Sequence, residues 1–306
     1  NLPVTPITDV IIHRGDLVLS TMGRGFWILD NITSLRNPEI ADLKDKAILF
    51  KPDNTIRYRT PRSSSDFPNY PSTGVIVDYY LPDEFKDTVQ LEILDSNKKS
   101  IVTIVSDSTL LKSTSEEVED MNLSMTFTYA DTKLESKKGL NRFAWDLRQK
   151  GSWSDKKSRS FKNGPMVLPG LYTVRLTAGK VTLEQTFEVL VDPRLEKEGV
   201  NAAILQEQLA FENKVIKLLS DARKFQADVE AEIKKSTISE KKATLENVLK
   251  ELKNEEGAYP QQMLVAQISY LSYIVGGVDK TPGNEEKERY KELSTMLSRL
   301  KSDTSL

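Results

Sequence analysis

The chain has 306 residues and a formal net charge of −2, with 43 basic against 45 acidic residues, so it lacks the basic stripe that nucleic acid binding calls for. It holds no cysteine and a single histidine. That excludes disulfides, thiol nucleophiles and zinc–thiolate sites, and leaves little for metal or triad chemistry. No apolar run approaches the roughly 20 residues of a membrane helix, and the length allows roughly two or three domains.

Taken from the start, Asn1 to Ile7 carries Pro3 and Pro6 and reads as an extended lead-in. Val10 to His13 is a short apolar strand, closed by the turn Arg14-Gly15-Asp16. Leu17 to Thr21 and Phe26 to Asp30 are two more, around a turn holding Gly23 and Gly25. Three consecutive antiparallel strands make a meander, which is most of one blade of a β-propeller. A lone blade cannot bury its two faces. The chain begins at Asn1 without a leader, so the expectation is a piece of a longer polypeptide whose other blades lie N-terminal to Asn1.

Residues 1–46 are therefore read as an incomplete propeller, ending in the polar connection Glu39 to Lys46. Residues 47–73 follow as a strand pair (Ala47 to Phe50 and Thr55 to Arg59) and a Pro- and Ser-rich linker bearing Phe67 and Tyr70. Residues 74–193 read as a β-sandwich of the immunoglobulin type, with strands at Val75 to Leu81, Val89 to Leu94, Ile101 to Val105, Leu140 to Leu147, Leu171 to Leu176 and Val181 to Val191. Asp107 to Lys138 is an acidic insertion in which Ser124 to Tyr129 could add an edge strand. Lys150 to Asn163 is a basic, serine-rich loop bearing Trp153 and Phe161.

From Glu198 the period becomes helical. Ile204, Phe211, Leu218 and Phe225 recur every seven residues, with Val215, Ala222 and Val229 between them, predicting a long amphipathic helix. Thr237 and Glu240 have the spacing of a capping box for a second helix, Pro260 suits the first turn of a third, and Asn284 can cap a fourth. Short connections predict an antiparallel bundle over 194–306. The fold class is thus multidomain, β plus α.

Asp9 to His13, Asp16 to Thr21 and Gly23-Arg-Gly-Phe-Trp-Ile-Leu-Asp30 resemble the last blade of bacterial sortilin-like β-propeller proteins, the BNR/Asp-box-repeat proteins often labelled glycosyl hydrolase. Gly139-Leu-Asn-Arg-Phe-Ala-Trp-Asp-Leu-Arg148 and Pro169-Gly-Leu-Tyr-Thr-Val-Arg-Leu176 look like the Ig-like domain that follows the propeller in that family, and like that of flagellar hook-capping proteins. Gln267 to Leu271, Asp279, Pro282-Gly283 and Arg289 to Leu293 resemble its closing helices. The Asp-box pattern itself, Ser-x-Asp-x-Gly-x-Thr-Trp, does not occur. The resemblance implies a protein- or peptide-binding protein of a bacterial periplasm, outer-membrane surface or secreted fraction.

No catalytic, metal or cofactor constellation emerges. His13 stands alone, without the Ser and carboxylate of a triad. Asp30, Asp78 and Asp146 are carboxylates, but glycoside hydrolysis needs two of them roughly 5 to 10 Å apart across a sugar site, which one sequence cannot establish. Asp30 reads instead as a turn cap or a partner for Arg24. Trp27 and Trp145 read as core. Three residues remain as ligand or partner contacts: Arg24 between its two glycines, and Trp153 and Phe161 in their basic loop. The expectation is a non-catalytic interaction and structural region, with an accessory carbohydrate-binding region of a propeller hydrolase as the alternative. The expected partners are the rest of the propeller and a protein; the alternative adds a glycan.

Overall fold

The computed structural model describes residues 2, 4–38, 46–59, 74–82, 88–106, 134–155, 164–257 and 259–304. The linker at 60–73, the insertion containing Ser124 to Tyr129, and Phe161 lie outside them. The described chain is mixed β plus α, with three sheets and a C-terminal helical region. It divides into two compact units that are not contiguous in sequence.

The first unit draws on residues 1–107, 133–146 and 170–190. Strands β1 (Ile7–His13), β2 (Asp16–Thr21) and β3 (Phe26–Leu29) form a three-stranded antiparallel sheet in chain order. β1 turns into β2 through Arg14 and Gly15, both at positive φ, the twist a two-residue hairpin prefers. A second sheet is ordered β4 (Ile48–Leu49), β6 (Val75–Leu81), β9 (Gly139–Trp145). The third is ordered β5 (Thr55–Ile56), β11 (Val181–Leu190), β10 (Gly170–Ala178), β7 (Val89–Leu94), β8 (Ser100–Val105).

Period-two patterning decides which residues these last two sheets bury. Val75, Val77, Tyr79 and Leu81 of β6, Val89, Leu91 and Ile93 of β7, and Phe143 and Trp145 of β9 are all buried. The two sheets meet through an aromatic cluster. Trp145 lies edge-on to Tyr172 and Phe187, ring centroids 6.0 and 6.2 Å apart, the arrangement that ring quadrupoles favour. Burial pushes the Tyr172 phenol up to about 12, with Asp95 adding to the effect and Arg57 opposing it. The Tyr79 phenol, also raised by burial, donates to the Glu135 carbonyl.

The second unit contains 147–169 and 191–306. Its helices are α1 (Pro193–Lys197), α2 (Ala202–Lys235), α3 (Ser239–Leu252), α4 (Leu264–Gly276) and α5 (Asn284–Thr304). The heptad residues Phe211, Val215, Leu218, Ala222, Phe225 and Val229 share one core with Leu245, Ile268, Leu271, Leu293 and Leu297; Ile204 is only half-buried. The capping box is not formed. Ile238 occupies the N-cap of α3 and no side chain caps it, so the Thr237–Glu240 spacing misleads. Pro260 also lies ahead of its helix: α4 opens at Leu264, and the Asn254 carboxamide oxygen accepts from the Met263 amide just before it. Within α2, buried Gln208 donates to the Val275 carbonyl at 3.0 Å and to that of Val278, satisfying carbonyls that the end of α4 would otherwise leave orphaned.

Candidate functional site

The register of β1–β2–β3 fixes its two faces. Paired residues point the same way, so Ile12–Leu17–Leu29 and Val10–Leu19–Trp27 make one face, and Ile11–Val18–Ile28 with Phe26 make the other. The first face is apolar; the second is mixed, its apolar residues sharing it with Asp9, His13, Asp16 and Ser20. A sheet with a single wet face would keep large apolar residues to one side; here Ile11, Val18, Ile28 and Phe26 stand on the second side as well. Both faces expose apolar side chains: every residue of β1 is exposed, and Phe26, Ile28 and Ile12 keep 78, 59 and 56 % of their accessible surface, while β2 between its neighbours is half-buried. A contiguous apolar area of this kind marks a contact surface.

The residues singled out from the sequence fall differently about this sheet. Arg24 is exposed at the tip of the β2–β3 turn, and its carbonyl accepts the Trp27 indole N–H at 3.1 Å. Trp27 is not the core residue its strand suggested; it is only half-buried. Trp145 is core. Asp30 does not partner Arg24 among the described residues; its carbonyl is taken by Arg142. His13 is exposed at the end of β1.

Arg142 is the residue that sequence reasoning missed. It sits on β9 directly across from Asp78 on β6. Its Nε and Nη2 donate to the two Asp78 oxygens at 2.7 and 2.9 Å. Its Nη1 and Nη2 also reach the main-chain carbonyls of Asp30 and Asn31 at 2.9 and 2.7 Å. The forked guanidinium suits this task, holding a carboxylate bidentately with donors to spare. Asp78 holds Arg142 above its usual range, mainly through that hydrogen bond. Asn31, which carries φ +47, a conformation Asn tolerates, presents the carbonyl. The chain leaving β3 is thus tied to the sheet of β6 and β9. Thr33 adds a second tie, donating to Asp53 at 2.7 Å. A charged residue in each of two apolar strands, Asp78 in β6 and Arg142 in β9, was the available signal.

In the second unit, the stretch after β9 pairs with itself before turning to the helices. Val167 donates to the Leu147 carbonyl and Gln149 to that of Pro165, both at 2.8 Å. Ser152 and Trp153 are tied to α2: the Trp153 amide donates to Ser220 Oγ at 3.0 Å and Arg223 to Ser152 Oγ at 2.7 Å. Trp153 is half-buried there.

Both Asp78 oxygens are occupied by Arg142, so Asp78 is not one of a free carboxylate pair. Among the described residues no group of three or more His, Asp or Glu could hold a metal, and no helix is long and apolar enough to cross a membrane. No family model, no curated protein and no solved structure matches the chain.

Proposed function

We propose that this chain is a non-catalytic interaction and structural region of a bacterial envelope or surface protein, in which the β1–β3 meander is one layer of a larger stack of sheets. The observation that supports it is the meander itself, which exposes large apolar side chains on both faces: Val10, Ile12 and Leu29 on one, Ile11, Phe26 and Ile28 on the other. Large apolar side chains on two faces are what a layer between two others buries, and propeller blades are stacked in this way. On this reading the meander is the last blade of a sortilin-like propeller. The two larger sheets form an Ig-like sandwich that braces it through Arg142, and the helices are a bundle that supports a docking face.

Carbene footprinting of the 306-residue chain, and of the longest form purified from its source, tests the proposal. Val10, Ile12 and Leu29 on one face and Ile11, Phe26 and Ile28 on the other should label heavily in the chain alone and be shielded together in the longer form. Equal labelling in both forms rejects the proposal.

A further inference from the structure

The chain leaving β3 meets the larger sheets along a polar seam. Residues 31–34 lie there beside the turn between β4 and β5 and beside β6. Together they border a small cavity, in which the centre of a water molecule can range over about 10 Å³. That is room for one water and for nothing larger. Asn31, Thr33, Ser34, Lys51, Asp53 and Asp78 stand in its wall. Apolar cavities of this size stay dry, and polar ones fill.

Ser34 supplies the demand. It is 2 % exposed, and its hydroxyl is buried without a hydrogen-bond partner. Buried hydroxyls in folded proteins are paired, with the protein or with internal water. Two neighbours have capacity to spare. The Thr33 amide donates to Asn31 Oδ1 at 3.1 Å, which fixes the carboxamide and leaves its NH₂ to donate elsewhere. The Thr33 hydroxyl donates to Asp53 Oδ2 at 2.7 Å, which leaves Oδ1 to accept.

We propose that this cavity is the site of one buried water, bound by the Ser34 hydroxyl, the Asn31 NH₂ and Asp53 Oδ1. Three protein partners are what a buried water usually finds. The charges around the cavity select water over a small cation. Arg142 already neutralises Asp78, Lys51 adds a positive charge to the wall, and the Asn31 NH₂ can only donate. Asp53 is then the single carboxylate left to attract a cation, far short of the oxygen cage a divalent ion takes. The water joins the exit of the meander to the β4–β5 turn. It is a third tie at this joint, beside the Arg142–Asp78 fork and the Thr33–Asp53 bond. It does not depend on whether the meander is an interior layer.

A high-resolution crystal structure of the 306-residue chain tests the site directly. One ordered water should lie within hydrogen-bond distance of Ser34 Oγ, in the same place whether lithium, sodium or potassium is the only added cation. Amide exchange of Ser34→Ala gives the second readout. Arg36 and Asn37 donate their amides to the carbonyls of Ile32 and Ser34. These two should exchange about fivefold faster in the variant, the loss of one neutral hydrogen bond. An unpaired hydroxyl predicts the opposite, because its removal relieves the burial of a polar group. Equal or slower exchange in Ser34→Ala therefore overturns the proposal. So does a cavity without electron density, or a Ser34 hydroxyl turned to a protein acceptor. Protection of Arg36 and Asn37 that rises with sodium or calcium concentration assigns the cavity to a cation and overturns the water.

Discussion

Arg142→Ala is the most informative single change within the first unit. It removes four hydrogen bonds, two to Asp78 and two to the carbonyls of Asp30 and Asn31. The Asp78 side chain is 5 % exposed, so its carboxylate is left buried without a counter-charge. Breaking such a pair from one side costs about 3–5 kcal/mol when both partners are buried. Arg142 itself is 37 % exposed, and water entering along its path screens the orphaned charge. The expected loss is therefore about 2–3 kcal/mol. Urea unfolding followed by near-ultraviolet circular dichroism measures it. Starting from Asp78→Asn, the same truncation should cost about 1 kcal/mol, because a neutral amide is left behind in place of a charge. Amide exchange gives the second readout: β1–β3 should exchange faster than in wild type, and α2–α5 should not change. A loss well under 1 kcal/mol, with meander exchange unaltered, would refute the view that Arg142 anchors the chain leaving β3.

Three further outcomes are expected. Gly74→Ala should unfold at clearly lower urea, because a Cβ there would lie 2.0 Å from the Trp145 carbonyl oxygen and φ is +112; wild-type stability would contradict the backbone path at this point. Tyr172 is raised from 10.0 to about 12 by burial, so the folded state favours its neutral form. That stability is complete below pH 10 and is lost as pH rises through about 12. Alkaline unfolding with coincident phenolate absorbance should be delayed in Tyr172→Phe, and an unchanged profile would remove Tyr172 as a contributor. Gln208→Leu should lower the Tm of the helical unit, since the carbonyls of Val275 and Val278 lose their donor, at about 1–3 kcal/mol for buried groups left unpaired.

The strands and helices of this chain were legible because burial imposes a period. Alternate residues of Val75 to Leu81 and Val89 to Leu94 are buried and their neighbours largely are not, and those strands have the bounds that alternation gives. The seven-residue spacing along α2 likewise marks its core. The helix starts were harder. Thr237 and Pro260 suit a first turn locally, yet α3 and α4 open at Ser239 and Leu264, where packing of Leu245 and Leu264 sets the register. The Arg142–Asp78 tie was not legible, because its members lie 64 residues apart and meet only through strand register. The approach of Ser152 and Trp153 to α2 was hidden for the same reason: Ser152 and Arg223 are 71 residues apart.

Whether the bare sheet at the start of the chain is an interior layer can be seen directly. An experimental structure of the longest form its source produces should show another β-sheet against each face of β1–β2–β3, at about 10 Å spacing, with Phe26 and Ile12 enclosed. The same structure with both faces still in water, or with either face closed by something other than a sheet, would contradict it.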